Sequence, residues 1–523
     1  MKKKISVILL GVMLLTLLCG CSDKDKNTLY AYVGGGVSTL DPTLCTSKAS
    51  QTYIANLYSG LYSYAVGEDG LPILVPEDAE GLPTVRALED GAYEITFKLK
   101  EGLLWSNGES VTPEDYVYSW NRAARNLAYT DKSYAFDLID GYDTFVEYEE
   151  DARLNMSYDN SARTFSVVVK EDCERFIGYT TETFMFPVSR IAVRDSDNWD
   201  DYAPDFASNG RYTLESLEKD SLVVVKNENF RDAESTAASR IKFLFDIDEA
   251  EKMYDKGRLS FAKLITDTSL MLSKNSSATV STGYIAFNGN DSAIGVYTEE
   301  EQLKIRKALA IYIFKSEAFL SDGDEAPSLV PALKKGNPYF GLTEADADAL
   351  LAEVAASSER FTSQDGKVYE FPILTAISAD REKEQKRWSR IASYLSEQGI
   401  SLNVVNCSWE EFLIARNNGE YSMLINSWTY NSLSAGEILS LFRRDSVYND
   451  TMSEVKNGGD KVYDTLISVP ISDISEANVR YAEALSILEE SALVIPVINA
   501  RVDVYSCDTE KYFLSYDGIV RFW

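Results

Sequence analysis

The sequence predicts an α/β protein of more than one domain, on three observations. With 523 residues the chain is long enough for two or three sizeable cores. At 45% hydrophobic and 12% aromatic residues its composition is that of a globular chain. Strand and helix patterns also alternate late in the chain. An amphipathic helix from Asp380 to Gln398 is stopped by Gly399 and followed by the strand Leu402–Val404. A helix from Ser408 to Ala415, with Ser408 and Glu411 as a capping box, leads into an apolar strand from Tyr421 to Trp428.

The N-terminus reads as a secretion signal. Lys2, Lys3 and Lys4 precede an apolar run from Ile5 to Leu18, which is short of the roughly 20 residues a membrane span needs. The run ends in Leu18-Cys19-Gly20-Cys21, which resembles a bacterial lipobox with Cys21 as the acylated residue. Residues 1–20 are then a lipoprotein signal peptide and 21–28 a polar tether. The chain's net charge is −31 with the signal included. That argues against nucleic acid or an anionic lipid surface as partner, because both need positive charge.

After the tether, Leu29 to Val33 is a strand that ends in Gly34-Gly35-Gly36; with no lysine or further glycine motif behind it, this is a turn and not a phosphate cradle. A helix is predicted from Gln51 to Ser63. Tyr93, Ile95, Phe97 and Leu99 alternate with polar residues, as one face of a strand does. Two turns follow, at Glu101-Gly102 and Asn107-Gly108. Thr112 then caps a helix with Pro113 at its first position and Asp115 three residues on. Tyr116, Val117 and Trp120 fall at helical spacing and would pack that helix back onto the strand. Further strands are expected at Phe165-Val167-Val169, Leu222–Val225, Ile241-Phe243-Phe245 and Thr282–Asn288. Thr298 and Glu301 cap a helix to about Tyr312, and a helix from Ser475 to Ser491 leads into Leu493–Val497.

As a string, the segment from Ile95 to Ala123 resembles the signature of the family 5 extracellular solute-binding proteins, the peptide-binding subunits of ABC importers. The family reads W-S-D-G-x-P-V-T-A-x-D before an aromatic helix; Trp105, Ser106, Gly108, Val111, Thr112, Asp115, Tyr118 and Trp120 match, and Asn107 replaces an aspartate. Leu40-Asp41-Pro42, Ser208-Asn209-Gly210-Arg211-Tyr212 and Ile305-Arg306-Lys307-Ala308-Leu309 resemble further family segments. The resemblance implies a two-lobed, periplasmic-binding-protein-like α/β fold of type II, the Venus flytrap, with an extra inserted domain. It places the base lobe at 29–59, 181–275 and 493–523, the inserted domain at 60–180 and the second lobe at 276–492.

Composition removes much of catalysis. There is no histidine, so Ser-His-Asp and Cys-His activation and every His-ligated metal site are excluded. Ser216-x-x-Lys219 sits in a strand-like stretch from Leu214 to Val225, without the companion motifs of penicillin-binding proteins. With 82 acidic residues, adjacent acids mark no site. Cys45, Cys173, Cys407 and Cys507 are scattered without metal spacing and read as buried thiols, with disulfides left open. No catalytic residue, metal site or cofactor is expected.

Binding is the better candidate. The resemblance assigns the ligand-facing loop to Asn426, Trp428, Thr429, Tyr430 and Asn431. Trp428 stands for the family's pocket tryptophan. Asn431 occupies the place of an aspartate that pairs with a ligand ammonium, so the hydrogen-bond acceptor is kept and the charge is lost. Thr46 and Ser47 match a second ligand-facing segment by position, and Tyr129 and Tyr134 are candidates from the inserted domain. The expected function is that of a monomeric lipoprotein held by a lipid on Cys21 at the extracytoplasmic face of the bacterial membrane. It would capture oligopeptides and deliver them to ABC permease and ATPase subunits. The alternatives are an exported enzyme acting on cell-wall material, or the same scaffold binding a non-peptide solute or serving as a sensor.

Overall fold

The computed structural model describes residues 28–522 except 46, 67–71, 131, 148–152, 171–172, 237, 265–272, 320–327, 332, 334–336, 359–362, 365–366, 369–372, 380, 430–433, 445, 447, 453–458, 469–473, 507–511 and 516–517. The chain opens with β1 (Thr28–Tyr32) and the helix Lys48–Leu57, then leaves in the hairpin β2 (Tyr62–Val66) and β3 (Pro72–Pro76). A four-stranded antiparallel sheet follows: β4 (Thr84–Ala87), β5 (Tyr93–Lys98), β6 (Met156–Asp159) and β7 (Thr164–Val169), ordered β4-β5-β7-β6. The chain returns through β8 (Tyr212–Leu217), β9 (Ser221–Lys226), β10 (Arg240–Leu244) and β11 (Leu259–Leu264). Two long strands, β12 (Ser273–Phe287) and, much later, β18 (Val494–Ser506), flank short β13 (Ser363–Gln364) and β14 (Lys367–Val368), then β15 (Leu374–Ala379), β16 (Leu402–Cys407) and β17 (Met423–Thr429). The small pair β19 (Tyr512–Leu514) and β20 (Val520–Phe522) closes the chain.

One ten-stranded sheet, ordered β16-β15-β17-β12-β18-β11-β1-β10-β9-β8, carries two hydrophobic cores. The first gathers β12, β15, β17 and β18 with the helices Glu299–Lys315, Glu382–Glu397 and Ile474–Ser491, around Trp388, Tyr312 and Tyr481. The second joins β1 and β10 to the four-stranded sheet, the helix Pro113–Leu127 and the C-terminal Phe522. The helices 382–397, 409–418 and 474–491 lie close to where periodicity and caps place them.

The strand-turn-helix unit at 93–127 forms as its sequence dictates. Thr112 and Asp115 make a reciprocal capping box with Pro113 at the first position. Tyr116 stacks on Phe165 at 5.2 Å between ring centres, and Trp120 meets Phe97 and Phe165 edge-on. The Trp120 indole N–H donates to the carbonyl of Met185 at 2.8 Å, so this large ring is buried with its polar atom satisfied. The opening Leu-Asp-Pro is tied to the same helix: buried Asp41 accepts from both terminal nitrogens of Arg122, at 3.0 and 2.5 Å.

One local expectation needs correcting. The helix expected over Gln51–Ser63 runs instead from Lys48 to Leu57, and Tyr62 already belongs to β2. The reason is tertiary. Ser59 N–H bonds the Asn209 side chain, and a Cβ on Gly60 would lie 2.4 Å from the Phe186 ring. Gly210 meets this same segment: its N–H donates to Leu57 O at 2.9 Å, and a Cβ there would fall 2.6 Å from the Leu57 carbonyl carbon. Backbone cannot yield as a side-chain tip can, so Gly210→Ala is expected to cost about 1–3 kcal/mol of unfolding free energy. Urea unfolding checks this; an unchanged midpoint would show that the two segments separate without penalty.

Candidate functional site

The site follows from strand direction. β1 runs parallel to β10 and β11, and β15 runs parallel to β16 and β17, so each half of the large sheet has one edge of carboxyl ends. On β12, Thr429 at the end of β17 stands opposite Ser281. Leu264 at the end of β11 stands opposite Asp503 of β18, which in turn stands opposite Ser276 of β12. The carboxyl ends of the two half-sheets therefore face one another across residues 276–281. There the β12–β18 register shifts twice, between Ser276 and Thr279 and between Thr279 and Ser281. Such irregularities bend and twist a strand pair locally. Carboxyl ends of parallel strands are where open α/β sheets take their ligands.

β1 marks the switch point of its half. Leu29, Ala31 and Val33 face one core, while Tyr30 and Tyr32 face a smaller cluster under the helix Ile247–Asp255. The segment 33–47 emerges from the carboxyl end of β1 and terminates at Ser47, the cap of the helix 48–57. Its hydroxyl accepts from Ser50 N–H at 3.1 Å.

In the other half, β17 carries the expected loop. Trp428 is half-buried, donates its indole N–H to buried Glu437 at 2.9 Å, and meets Tyr448 edge-on at 5.8 Å. Asn426 donates its amide to Asp450 at 2.8 Å, and its carbonyl accepts from Ser427 N–H. Asp450 is fully buried and also accepts from Tyr284 at 2.7 Å and from Arg416. Burial first, and the neighbouring Asp450 second, push the Tyr284 hydroxyl well above its ordinary pKa, so it stays a donor. Past the loop, Ser434 caps the helix Ala435–Ser440 and donates to Glu174 at 2.5 Å; Arg175 donates to Ser440 at 3.3 Å. The helix that follows β7 is thus joined to the helix 435–440.

The other candidates are placed differently. Thr429 is exposed at the end of β17. Tyr134 packs against Tyr179 at 4.7 Å and Phe184 at 6.0 Å at the margin of the second core. Tyr129 is 88% exposed with φ of 66° just past the helix 113–127. Cys21, Thr46, Tyr430 and Asn431 lie outside the described residues. Glu437, Tyr448 and Asp450 escaped the sequence reading, since no local spacing ties them to Trp428. Cys507 lies outside the described residues. Among the described residues, Cys45, Cys173 and Cys407 are buried, no group of three or more His, Cys, Asp or Glu could hold a metal, and no helix is long and apolar enough to cross a membrane.

The arrangement offers an aromatic ring, hydroxyls and open strand ends: groups that hold a ligand by packing and hydrogen bonds. Known proteins resemble the chain along nearly its whole length. It is 24% identical over 507 residues to the periplasmic murein peptide-binding protein MppA of Escherichia coli, covering 90% of this chain and 88% of that one. It is 23% identical over 494 residues to the probable deoxycholate-binding periplasmic protein YgiS of Escherichia coli, covering 88% and 85%. The fold matches the unliganded open form of the murein tripeptide-binding protein MppA with a TM-score of 0.79 at 19% identity, over 95% of this chain and 97% of that one. This is the two-lobed α/β fold of the periplasmic peptide-binding proteins. Residues 75–450 match the bacterial extracellular solute-binding proteins, family 5, and the chain belongs to that family.

Proposed function

We propose that this protein captures oligopeptides between its lobes, leaves them chemically unchanged, and delivers them to an ABC importer from the extracytoplasmic face of the membrane, where a lipid on Cys21 holds it. In this reading 29–59, 181–275 and 493–523 form the base lobe, 60–180 the inserted domain and 276–492 the second lobe. The observation that carries it is the meeting of two sets of strand carboxyl ends across the irregular middle of β12 and β18. Two strands that shift register between the half-sheets make a hinge, and closure about it would bring Ser47 and its loop toward Trp428 and Thr429. A peptide held there as an added strand would satisfy its main chain while side chains enter wet pockets. Asn426 then acts by orienting the loop, since both ends of its carboxamide are engaged within the protein.

The test is native mass spectrometry of the purified mature protein, followed by thermal shift with whatever co-purifies. A ligand at 100 times its dissociation constant should add about 2.7 kcal/mol of stability. Conversion of that ligand to a product would overturn the reading. A non-peptide solute is the second reading, favoured by the name of one relative, a probable deoxycholate-binding periplasmic protein, and by the uncharged Asn431; the same spectrum separates the two by mass. Restoring the charge with Asn431→Asp is expected to favour free-amine peptides over their N-acetylated forms by about tenfold, the value of one charge-assisted hydrogen bond. Calorimetry with matched peptide pairs measures it, and an unchanged ratio would remove Asn431 from the site.

A further inference from the structure

The segment 33–47, which leaves the carboxyl end of β1, is held along its length. Near its start the Tyr53 hydroxyl donates to the Gly35 carbonyl, and Ser38 N–H donates to the Ser50 hydroxyl at 3.1 Å. Both partners belong to the helix 48–57, into which the segment itself runs. Its middle, 39–43, is held from elsewhere. Arg122 reaches it from the helix 113–127, 81 residues on from Asp41. The guanidinium donates to both carboxylate oxygens of Asp41 and, at 3.0 Å, to the Thr43 hydroxyl.

These contacts are passed on to the backbone of the segment. The Asp41 oxygen that meets Nη1 of Arg122 also accepts from Thr43 N–H at 3.0 Å. Asp41 N–H donates to the Thr39 hydroxyl at 3.0 Å, and Leu44 N–H donates to the Asp41 carbonyl at 3.2 Å. Thr39 in turn donates to Asp200 at 2.9 Å, beside Trp199, whose ring centre lies 5.5 Å from the guanidinium. Asp41 is buried. Burial pulls the Arg122 pKa down, yet the bonds to Asp41 hold it above the ordinary guanidinium value, so the charge does not switch in the physiological range. A loop tied at a buried, charge-assisted fork offers one conformation, and a ligand that meets it spends little on ordering it.

We propose that Arg122 is a positioning residue for ligand capture, clamping 39–43 so that Ser47 and the chain before it face the crevice in one fixed conformation. This rests on the reading that ligands are taken at the facing strand ends. The helix 113–127 then serves binding at a distance, without any contact between Arg122 and the ligand.

The experiment pairs hydrogen exchange of the ligand-free mature chain with calorimetric titration by tetra-alanine, which offers main-chain groups and little else. Arg122→Gln is expected to speed exchange of the Asp41, Thr43 and Leu44 amides by at least about tenfold, while the paired amides of β5 and β7 keep their rates. Affinity for tetra-alanine should fall about tenfold through a less favourable binding entropy, and saturation with the peptide should restore slow exchange. Arg122→Lys keeps one charged donor and should recover part of both effects. Thr39→Val severs the loop from Asp200 without breaking the buried ion pair. It should weaken binding several-fold, and it decides the question should Arg122→Gln fail to fold. A merely structural Arg122 would lower the unfolding midpoint of its variants and leave affinity and local exchange unchanged, and that result would overturn the proposal. Failure of the natural chain to take tetra-alanine would count against the peptide reading instead, and exchange in the ligand-free variants would still decide whether Arg122 is the clamp.

Discussion

Asp78→Ala is expected to destabilise the protein by about 3–5 kcal/mol, because it strips a half-buried arginine of its fully buried carboxylate partner. Asp78 is 1% exposed and accepts from four donors: Ser59 at 2.6 Å, Tyr116 at 3.0 Å, Asn209 at 2.8 Å and Arg231 at 2.6 Å. Tyr116 belongs to the signature helix, whereas Asn209 and Arg231 come from the return path more than a hundred residues on. The carboxylate thus joins parts of the chain that lie far apart in sequence. Arg231 keeps Glu77 as a second partner, which places the loss toward the lower end of the range. Urea unfolding measures it, and a loss below about 1 kcal/mol would mean that water replaces the carboxylate freely.

The same residue makes stability depend on pH in a definite direction. Burial raises the Asp78 pKa to about 6, against the opposing pull of Arg231 and its hydroxyl donors. Between about pH 4 and 6 the native protein therefore holds a proton that the unfolded chain has released. Raising the pH through that window erodes this site's contribution, which then stays level. The difference in unfolding free energy between the natural protein and Asp78→Ala should accordingly be larger at pH 4.5 than at pH 7. A difference that grew with pH would contradict the burial argument.

What could be read in the sequence divides along the range of the interactions. The unit 93–127 was legible because its determinants are local: period-two alternation, two glycine turns, a Thr–Asp capping box and a proline at the first helical turn. The helix at 382–397 and the capped helix at 409–418 were legible for the same reason. The helix near 51–63 was misjudged where contacts with Phe186 and Asn209 override propensity. Trp428 could be singled out, but not its partners Glu437 and Tyr448, which adopt no spacing that a helix or strand would impose. The crevice was least legible, since it exists only through the register of β11, β12, β17 and β18, strands whose paired residues lie up to 245 apart in the chain.

Asp450→Ala is expected to cost a similar amount, about 3–5 kcal/mol, and to reach the candidate site directly. Arg416, 11% exposed, would lose its carboxylate inside the protein. Tyr284 and Asn426, which stand opposite each other in the β12–β17 ladder, would lose the acceptor they share. Asn426, one of its two donors, sits two residues before Trp428 on β17, so removing the acceptor loosens the strand end that presents Trp428 and Thr429. Ligand affinity is therefore expected to fall by about tenfold or more, since ordering a loosened loop must then be achieved at the moment of binding. Asp450→Asn keeps the size and one acceptor, so it should recover part of the stability without restoring the ion pair to Arg416. Unfolding and ligand titration of both variants decide the matter. Equal affinity in all three proteins, despite the lost stability, would place the ligand away from the end of β17.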